Sequence, residues 1–390
     1  MIEAGKCFCY HCGNVFTQAY YKNPERAVGV LLKRPRGSRD PRRFSVEPYS
    51  PSGAEITDED QVTFESAAKA NDGLPNSITV RTKKGALVEM FRSCPMCVNT
   101  TTTMYPTAGK YRTFVIGMVG DRAVGKSTWL QAIATAENYV RVNNQPYVHK
   151  LVFTECQDTL GVPSATSRDG EGNSNVLLVV DKKTGKTIAN VVLVDAAGEH
   201  FRTMDTPGNR MHRILLSHGE YPGADACLFF ESAESRVQEI ESVEELERRS
   251  QAFRIFNKLS PLIPDMPIAY VCTHTDKLVV KKKLIPRVDD NAGREMVPLF
   301  TSGTFSDATS YDPKVLLPRF VQEDLIARTP MPAVLGAASR KKRRGFMVQS
   351  CANAKDKAGK PYDDFRKNFN VMDPLLWVLD KLELFPLVSK

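Results

Sequence analysis

No apolar run in the sequence approaches the roughly 18–20 residues that a membrane-spanning helix needs, which argues against a helical membrane anchor. The opening MIEAGKCFCYHCG has no apolar core of a secretory signal, so the expectation is a soluble, cytoplasmic protein without a membrane span. No internal repeat is visible, which sets solenoid and propeller arrays aside. The formal charge of +8 is modest for 390 residues, and two runs concentrate it: KRPRGSRDPRR at 33–43 and RKKRR at 340–344. Neither run carries the interleaved aromatics that stack on bases, so nucleic acid is the less favoured partner beside the plainer reading of solvated loops. Nine cysteines in a long chain without an export signal speak against a disulfide framework.

What is present is core and punctuation. Hydrophobic residues make up 42% of a chain longer than a usual single domain, so two domains, or one with large inserts, are expected. Four cysteines fall into two C-x-x-C pairs, Cys9 with Cys12 and Cys94 with Cys97. Each pair can bring two thiolates to one tetrahedral ion, and four together make a closed structural Zn²⁺ site. Gly13 and Pro95 suit the tight turns that such knuckles need. Cys7 and His11 lie near enough in sequence to substitute for a ligand. The spacing of roughly eighty residues far exceeds the fifteen to twenty of the common pattern. The intervening stretch, rich in Pro, Gly, Ser and charge, therefore reads as an insert looped out of a zinc-ribbon-like domain over 1–107, flexible over about 33–60.

The sequence GDRAVGKSTW at 120–129 fits the phosphate-binding spacing G-x-x-x-x-G-K-[ST]. Ahead of it TFVIGMVG is a β-branched apolar run, and behind it Trp129, Ile133, Ala136 and Val140 recur at the period of one helix face. Strand, glycine loop and helix are the context in which this loop cradles phosphates through Gly120, Asp121, Ala123, Val124, Gly125, Lys126, Ser127 and Thr128. Lys126 reaches the β- and γ-phosphates, and the Ser127 hydroxyl is offered to Mg²⁺.

Downstream, VVLVDAAGEH places Asp195 at a strand end and Gly198 three residues on. There a carboxylate can hold Mg²⁺ through water and an N–H can sense a γ-phosphate. VCTHTDK ends another strand with Thr273, Asp276 and Lys277. A carboxylate at Asp276 can accept the N1–H and N2–H₂ of guanine, which adenine does not supply in that form. QSCANAK puts Ser350, Cys351 and Ala352 at a strand-to-loop junction, where a backbone N–H can meet guanine O6. From about residue 111, β-like and helical segments alternate, the signature of an α/β domain. Two apolar runs around DKKTGK read as a hairpin that adds one antiparallel strand.

With GDRAVGKS, DAAGE, THTDK and SCA in this order, the chain over 111–390 resembles a Ras-like P-loop GTPase of the TRAFAC type, with an insert at about 278–345. The resemblance implies a P-loop GTPase fold: a mainly parallel six-stranded sheet with one antiparallel strand that binds Mg·GTP at its strands' carboxyl ends. It also implies the second metal role for Asp195, and a switch threonine, for which Thr166 is preferred over Thr159. His274 stands where the family's base motif usually has lysine, and Glu199 where it usually has Gln or His. Glu199, His200 and Lys126 are thus the catalytic candidates, with Glu199 or His200 positioning water. The pairing of a zinc-ribbon-like segment with such a domain is similar in architecture to GTPase modules of bacterial conflict systems.

The expected function is a GTP/GDP switch with slow Mg²⁺-dependent hydrolysis, read by a protein partner. An ATP-driven enzyme sharing the loop, and a nucleotide-locked interaction protein, are the rivals.

Overall fold

The computed structural model describes residues 1–23, 25–26, 28–33, 44–67, 74–97, 104–120, 124–134, 143–144, 147–155, 174–195, 210–232, 265–273, 344–348 and 371–385. The chain divides into two compact units, Met1–Thr113 with Ser217–Pro222, and Phe114–Leu216 with Gly223–Lys390.

In the first unit, β1 (Cys7–Phe8) and β2 (Val15–Phe16) form a short antiparallel ribbon. Six further strands follow: β3 (Tyr20–Lys22), β4 (Gly29–Lys33), β5 (Ser45–Tyr49), β6 (Val62–Ala67), β7 (Ser77–Thr82) and β8 (Leu87–Arg92). Their order is β5-β4-β3-β8-β7-β6, and every ladder is antiparallel. The outer strands β5 and β6 also touch, so the sheet curls almost into a barrel. One face of the alternating strands is apolar, and it packs Tyr21, Val30, Leu32, Ile78, Val80 and Met90 into one cluster. Glycine is required at Gly29, because a Cβ there would stand 2.5 Å from the Tyr21 carbonyl oxygen and the Tyr20 ring. Of the segment read as an insert at 33–60, residues 34–43 lie outside the described residues, while β5 pairs with β4 and a 3-10 turn, Asp58–Asp60, follows.

The second unit is built on a seven-stranded sheet. Its strands are β9 (Thr113–Gly120), β10 (His149–Glu155), β11 (Ser174–Asp181), β12 (Thr187–Asp195), β13 (Ala226–Ser232), β14 (Ile268–Thr273) and β15 (Arg344–Val348), in the order β10-β11-β12-β9-β13-β14-β15. Ladders β9/β13, β13/β14 and β14/β15 are parallel, and β10/β11 and β11/β12 are antiparallel. β9 is buried along its whole length, which its unbroken apolar run TFVIGMVG allows. The β11–β12 hairpin turns where Asp181 Oδ1 accepts the Thr184 N–H and hydroxyl, with Gly185 at φ +67°.

Among the described residues there are three α-helices: α1 (Lys126–Ala134), α2 (Arg210–Leu215) and α3 (Asp373–Lys381). Trp129 of α1 is fully buried against Phe230, ring centroids 5.2 Å apart, and its Nε1–H donates to the Val371 carbonyl at 2.7 Å. Pro374 starts α3, where its missing N–H costs nothing, and Leu375, Leu376, Val378 and Leu379 bury its inner face. At the sheet's edge, the Asn143 side chain pairs with the backbone of Leu151 in β10. It donates to the carbonyl and accepts from the N–H, both at 2.8 Å.

The expected fold class, a mainly parallel six-stranded α/β sheet with one antiparallel strand, is corrected by this architecture. The larger sheet has seven strands and is mixed, and the other is antiparallel throughout. The described residues are dominated by sheet, with three helices in place of the helical layers that such a fold requires. The physical reason is that an apolar run reads alike whichever way the strand points, and strands with one wet face hide in polar composition.

Candidate phosphate and metal sites

The phosphate-loop motif begins where β9 ends. Gly120 lies against β13 so closely that a Cβ would stand 2.7 Å from the Phe230 carbonyl oxygen, which explains a glycine there. After it, Gly125 takes φ +87°, a conformation side chains disfavour, and the Trp129 N–H bonds back to its carbonyl as α1 begins. Lys126 is buried and its Nζ donates to the Gly120 carbonyl at 2.7 Å, tying the two ends of the loop together. The Ser127 hydroxyl donates to Asp195 Oδ2 at 3.2 Å, joining the start of α1 to the end of β12. A hydroxyl and a carboxylate held this way are hard oxygen donors of the kind Mg²⁺ takes.

Thr273, expected to touch nucleotide, bonds to the loop backbone. Its hydroxyl lies 2.7 Å from the Val124 carbonyl and 3.1 Å from that of Glu231, so its one hydrogen anchors loop backbone to the end of β14. Gly120, Val124, Gly125, Lys126, Ser127 and Thr128 thus come together with Asp195 and Thr273. Asp121, Ala123, Thr159, Thr166, Gly198, Glu199, His200, His274, Asp276, Lys277, Ser350, Cys351 and Ala352 lie outside the described residues. Glu231 went unread in the sequence: only 3% exposed, it is the last residue but one of β13, and its carbonyl lies 3.1 Å from the Thr273 hydroxyl. Its one signal was an acidic residue closing the apolar run ACLFFES.

The second site is a cluster of four thiols in the first unit. The Sγ atoms of Cys9, Cys12, Cys94 and Cys97 all lie within 4.8 Å of one another, with Cys9 to Cys97 at 3.6 Å and Cys12 to Cys94 at 3.7 Å. Tetrahedral ligands at about 2.3 Å from one ion stand about 3.8 Å apart. The first knuckle turns at Gly13, φ +73°, whose N–H bonds to the Cys9 carbonyl, while Asn14 Nδ2 donates to Cys12 Sγ at 3.2 Å. In the second knuckle the Met96 N–H points to Cys94 Sγ at 3.4 Å.

Hydrogen bonds from Cys9, Cys94 and Cys97 hold the Cys12 thiol far below its ordinary range, while their bonds to Cys12 raise Cys9 and Cys94. Neither Cys7 nor His11 joins the cluster. Cys7 instead accepts from Arg92 Nη2 at 2.8 Å; burial pushes its thiol up against the pull of that guanidinium. Arg92 is itself buried and also donates to the Ala108 carbonyl at 2.7 Å.

No protein-family model matches the chain, and no curated protein matches it. The antiparallel-rich sheets and three helices among the described residues overturn the resemblance to a Ras-like P-loop GTPase, and with it the comparison to bacterial conflict modules. Among the described residues no helix is long and apolar enough to cross a membrane.

Proposed function

We propose that the chain binds GTP with Mg²⁺ at Gly120–Ser127 and hydrolyses it slowly to GDP and phosphate, its nucleotide state being read by a protein partner. The observation that carries this reading is the 3.2 Å bond between Ser127 and Asp195 beside the buried Lys126. Ser127 and Asp195 would hold Mg²⁺, directly or through water, and the ion when bound neutralises charge on the phosphates. Lys126 would exchange its bond to the Gly120 carbonyl for a phosphate oxygen. Hydrolysis attaches water oxygen to the γ-phosphorus and breaks the bond to the β–γ bridging oxygen, and Glu199 is the residue we assign to orienting that water. Preference for guanine is supported by sequence alone, through Asp276 three residues beyond Thr273.

For the four-thiol cluster we propose structural Zn²⁺. Four sulfur ligands and no open position fit a closed, non-catalytic site.

Chromatography of nucleotide released from purified protein, before and after incubation with Mg·GTP, tests turnover. Calorimetric competition among GTP, ATP and xanthosine triphosphate tests the base. Asp276→Asn is expected to move preference toward xanthine, since an amide donor replaces a carboxylate acceptor. Equal binding of ATP and GTP by the unaltered protein would remove the role of Asp276.

A further inference from the structure

Burying a guanidinium is costly unless an opposite charge or a full set of acceptors meets it. Arg92, at the end of β8 in the first unit, is 2% exposed, and no carboxylate pairs with it among the described residues. Its Nη1 donates to the Ala108 carbonyl at 2.7 Å and its Nη2 to Cys7 Sγ at 2.8 Å, while its Nε–H meets no acceptor among the described residues. Gly109 closes over the contact: at φ +72°, a Cβ on it would stand 3.0 Å from Cys7 Sγ and 3.2 Å from Arg92 Nη2. The cation is packed in place, and its partners are a sulfur and a carbonyl.

What lies beside it is the four-thiol cluster. Arg92 is two residues from Cys94, and Cys7 is two residues from Cys9, so the Cα atoms within each couple are at most about 7 Å apart. A divalent ion held by four thiolates leaves two negative charges on the centre. Buried charges at such a range are little screened by salt. A metal–tetrathiolate centre and an unmatched guanidinium thus complete one another's charge.

We infer that Arg92 is the charge partner of the metal centre: its guanidinium balances the doubly negative metal–tetrathiolate and so sets how tightly the four cysteines hold a divalent ion. The inference rests on the zinc reading above. The hydrogen bonds of Arg92 go to Cys7 and Ala108 and not to the four cysteines. Its effect is therefore electrostatic, and it grows with the negative charge on the centre.

The test uses the full-length protein. Metal analysis and competition with a chromogenic chelator give zinc content and affinity, and iron loaded in place of zinc gives a reduction potential. Iron(II) on four thiolates carries one more negative charge than iron(III), so a nearby cation favours the reduced form. Arg92→Gln keeps a donor and loses the charge. It is expected to weaken zinc binding by about tenfold or more and to lower the iron potential by about 59 mV, a tenfold shift of the one-electron equilibrium. Arg92→Lys keeps the charge and is expected to hold both values near those of the unaltered protein. Should Arg92→Gln fail to fold, Arg92→Lys decides: a loss of zinc affinity of about tenfold in that variant makes the fork geometry responsible and overturns the charge role. An unchanged potential in folded Arg92→Gln overturns it as well. Cys7→Ala removes the sulfur contact and keeps the cation, so the potential should stay; a rise of about 59 mV would make Cys7 the counter-charge of Arg92 and overturn the inference. Much less than one zinc per chain in metal-replete, unaltered protein overturns the zinc reading, and the inference falls with it.

Discussion

In the first unit the apolar cluster under the six-stranded sheet has six buried members, Tyr21, Val30, Leu32, Ile78, Val80 and Met90. In the second, the cluster around Trp129 and Phe230 runs through the sheet to α3 and Phe385. One unit gathers buried thiols and a buried guanidinium beside a small core; the other covers its central strand with hydrocarbon on both faces. Small cores commonly need a staple of metal or disulfide, whereas extended ones stand by burial alone. With zinc at the cluster, as proposed, the same chain would use two sources of stability, and each source predicts a different failure.

The largest effect should come from removing the staple. A structural zinc site contributes an apparent ~10–16 kcal/mol, as much as the whole stability of a typical domain. Cys94→Ser, or exhaustive chelation, is therefore expected to unfold Met1–Thr113, while the second unit keeps its fold. Limited proteolysis with mass spectrometry reads this directly, and equal protection of both units after metal loss would break the comparison. Next comes the hydrocarbon core. Trp129→Ala leaves a cavity and an unpaired Val371 carbonyl, so denaturant unfolding of the second unit should show a loss of about 3–5 kcal/mol, with zinc content unchanged.

Lys126→Ala sharpens the comparison further, because it separates function from fold within one unit. Its cation faces loop backbone, and its loss should weaken GTP binding by about a hundredfold, about 2.8 kcal/mol, while circular dichroism still shows a folded unit and the midpoint falls only by what the unpaired Gly120 carbonyl costs, about 1–3 kcal/mol. Unchanged GTP affinity in this folded variant would remove the phosphate-loop reading. The smallest effect is expected at Arg81. Its 2.6 Å ion pair with Glu65 on the sheet surface is open to water and salt. Arg81→Ala should leave the proteolysis pattern and midpoint of the first unit indistinguishable from those of the unaltered protein.

Legibility in the sequence follows the same division. The meeting of the two cysteine pairs was readable because a shared ion demands a fixed short spacing within each pair. The meeting of Ser127 with Asp195, 68 residues apart, followed from placing an acid at the end of an apolar strand. Strands β5 and β6 were not readable: SVEPY and VTFESA each carry a wet face, and their average composition resembles a linker. Pro48 in β5 deepened the disguise, although proline is tolerated on a strand at the end of the sheet order. The bond from Thr273 to the Val124 carbonyl was not legible, because a strand-end hydroxyl can serve a ligand or a carbonyl and only packing shows the latter. The turn at Ser217–Pro222 left no signal of its destination, since stacking between Tyr221 and Phe8 joins positions that no local spacing connects.

The Asn143 amide has a consequence for the molecule in a crowded solution. β10 stands at the end of the seven-stranded order, where a bare backbone would offer itself to any passing strand. Among the described residues β10 is the last strand on that side, and by filling both hydrogen-bonding groups of Leu151 one side chain acts there as a strand a single residue long. A leucine at this position would keep the bulk and lose the plug. The chain would then carry a templating edge, and the cost would surface as aggregation that grows with concentration, long before any loss of fold or ligand binding was seen.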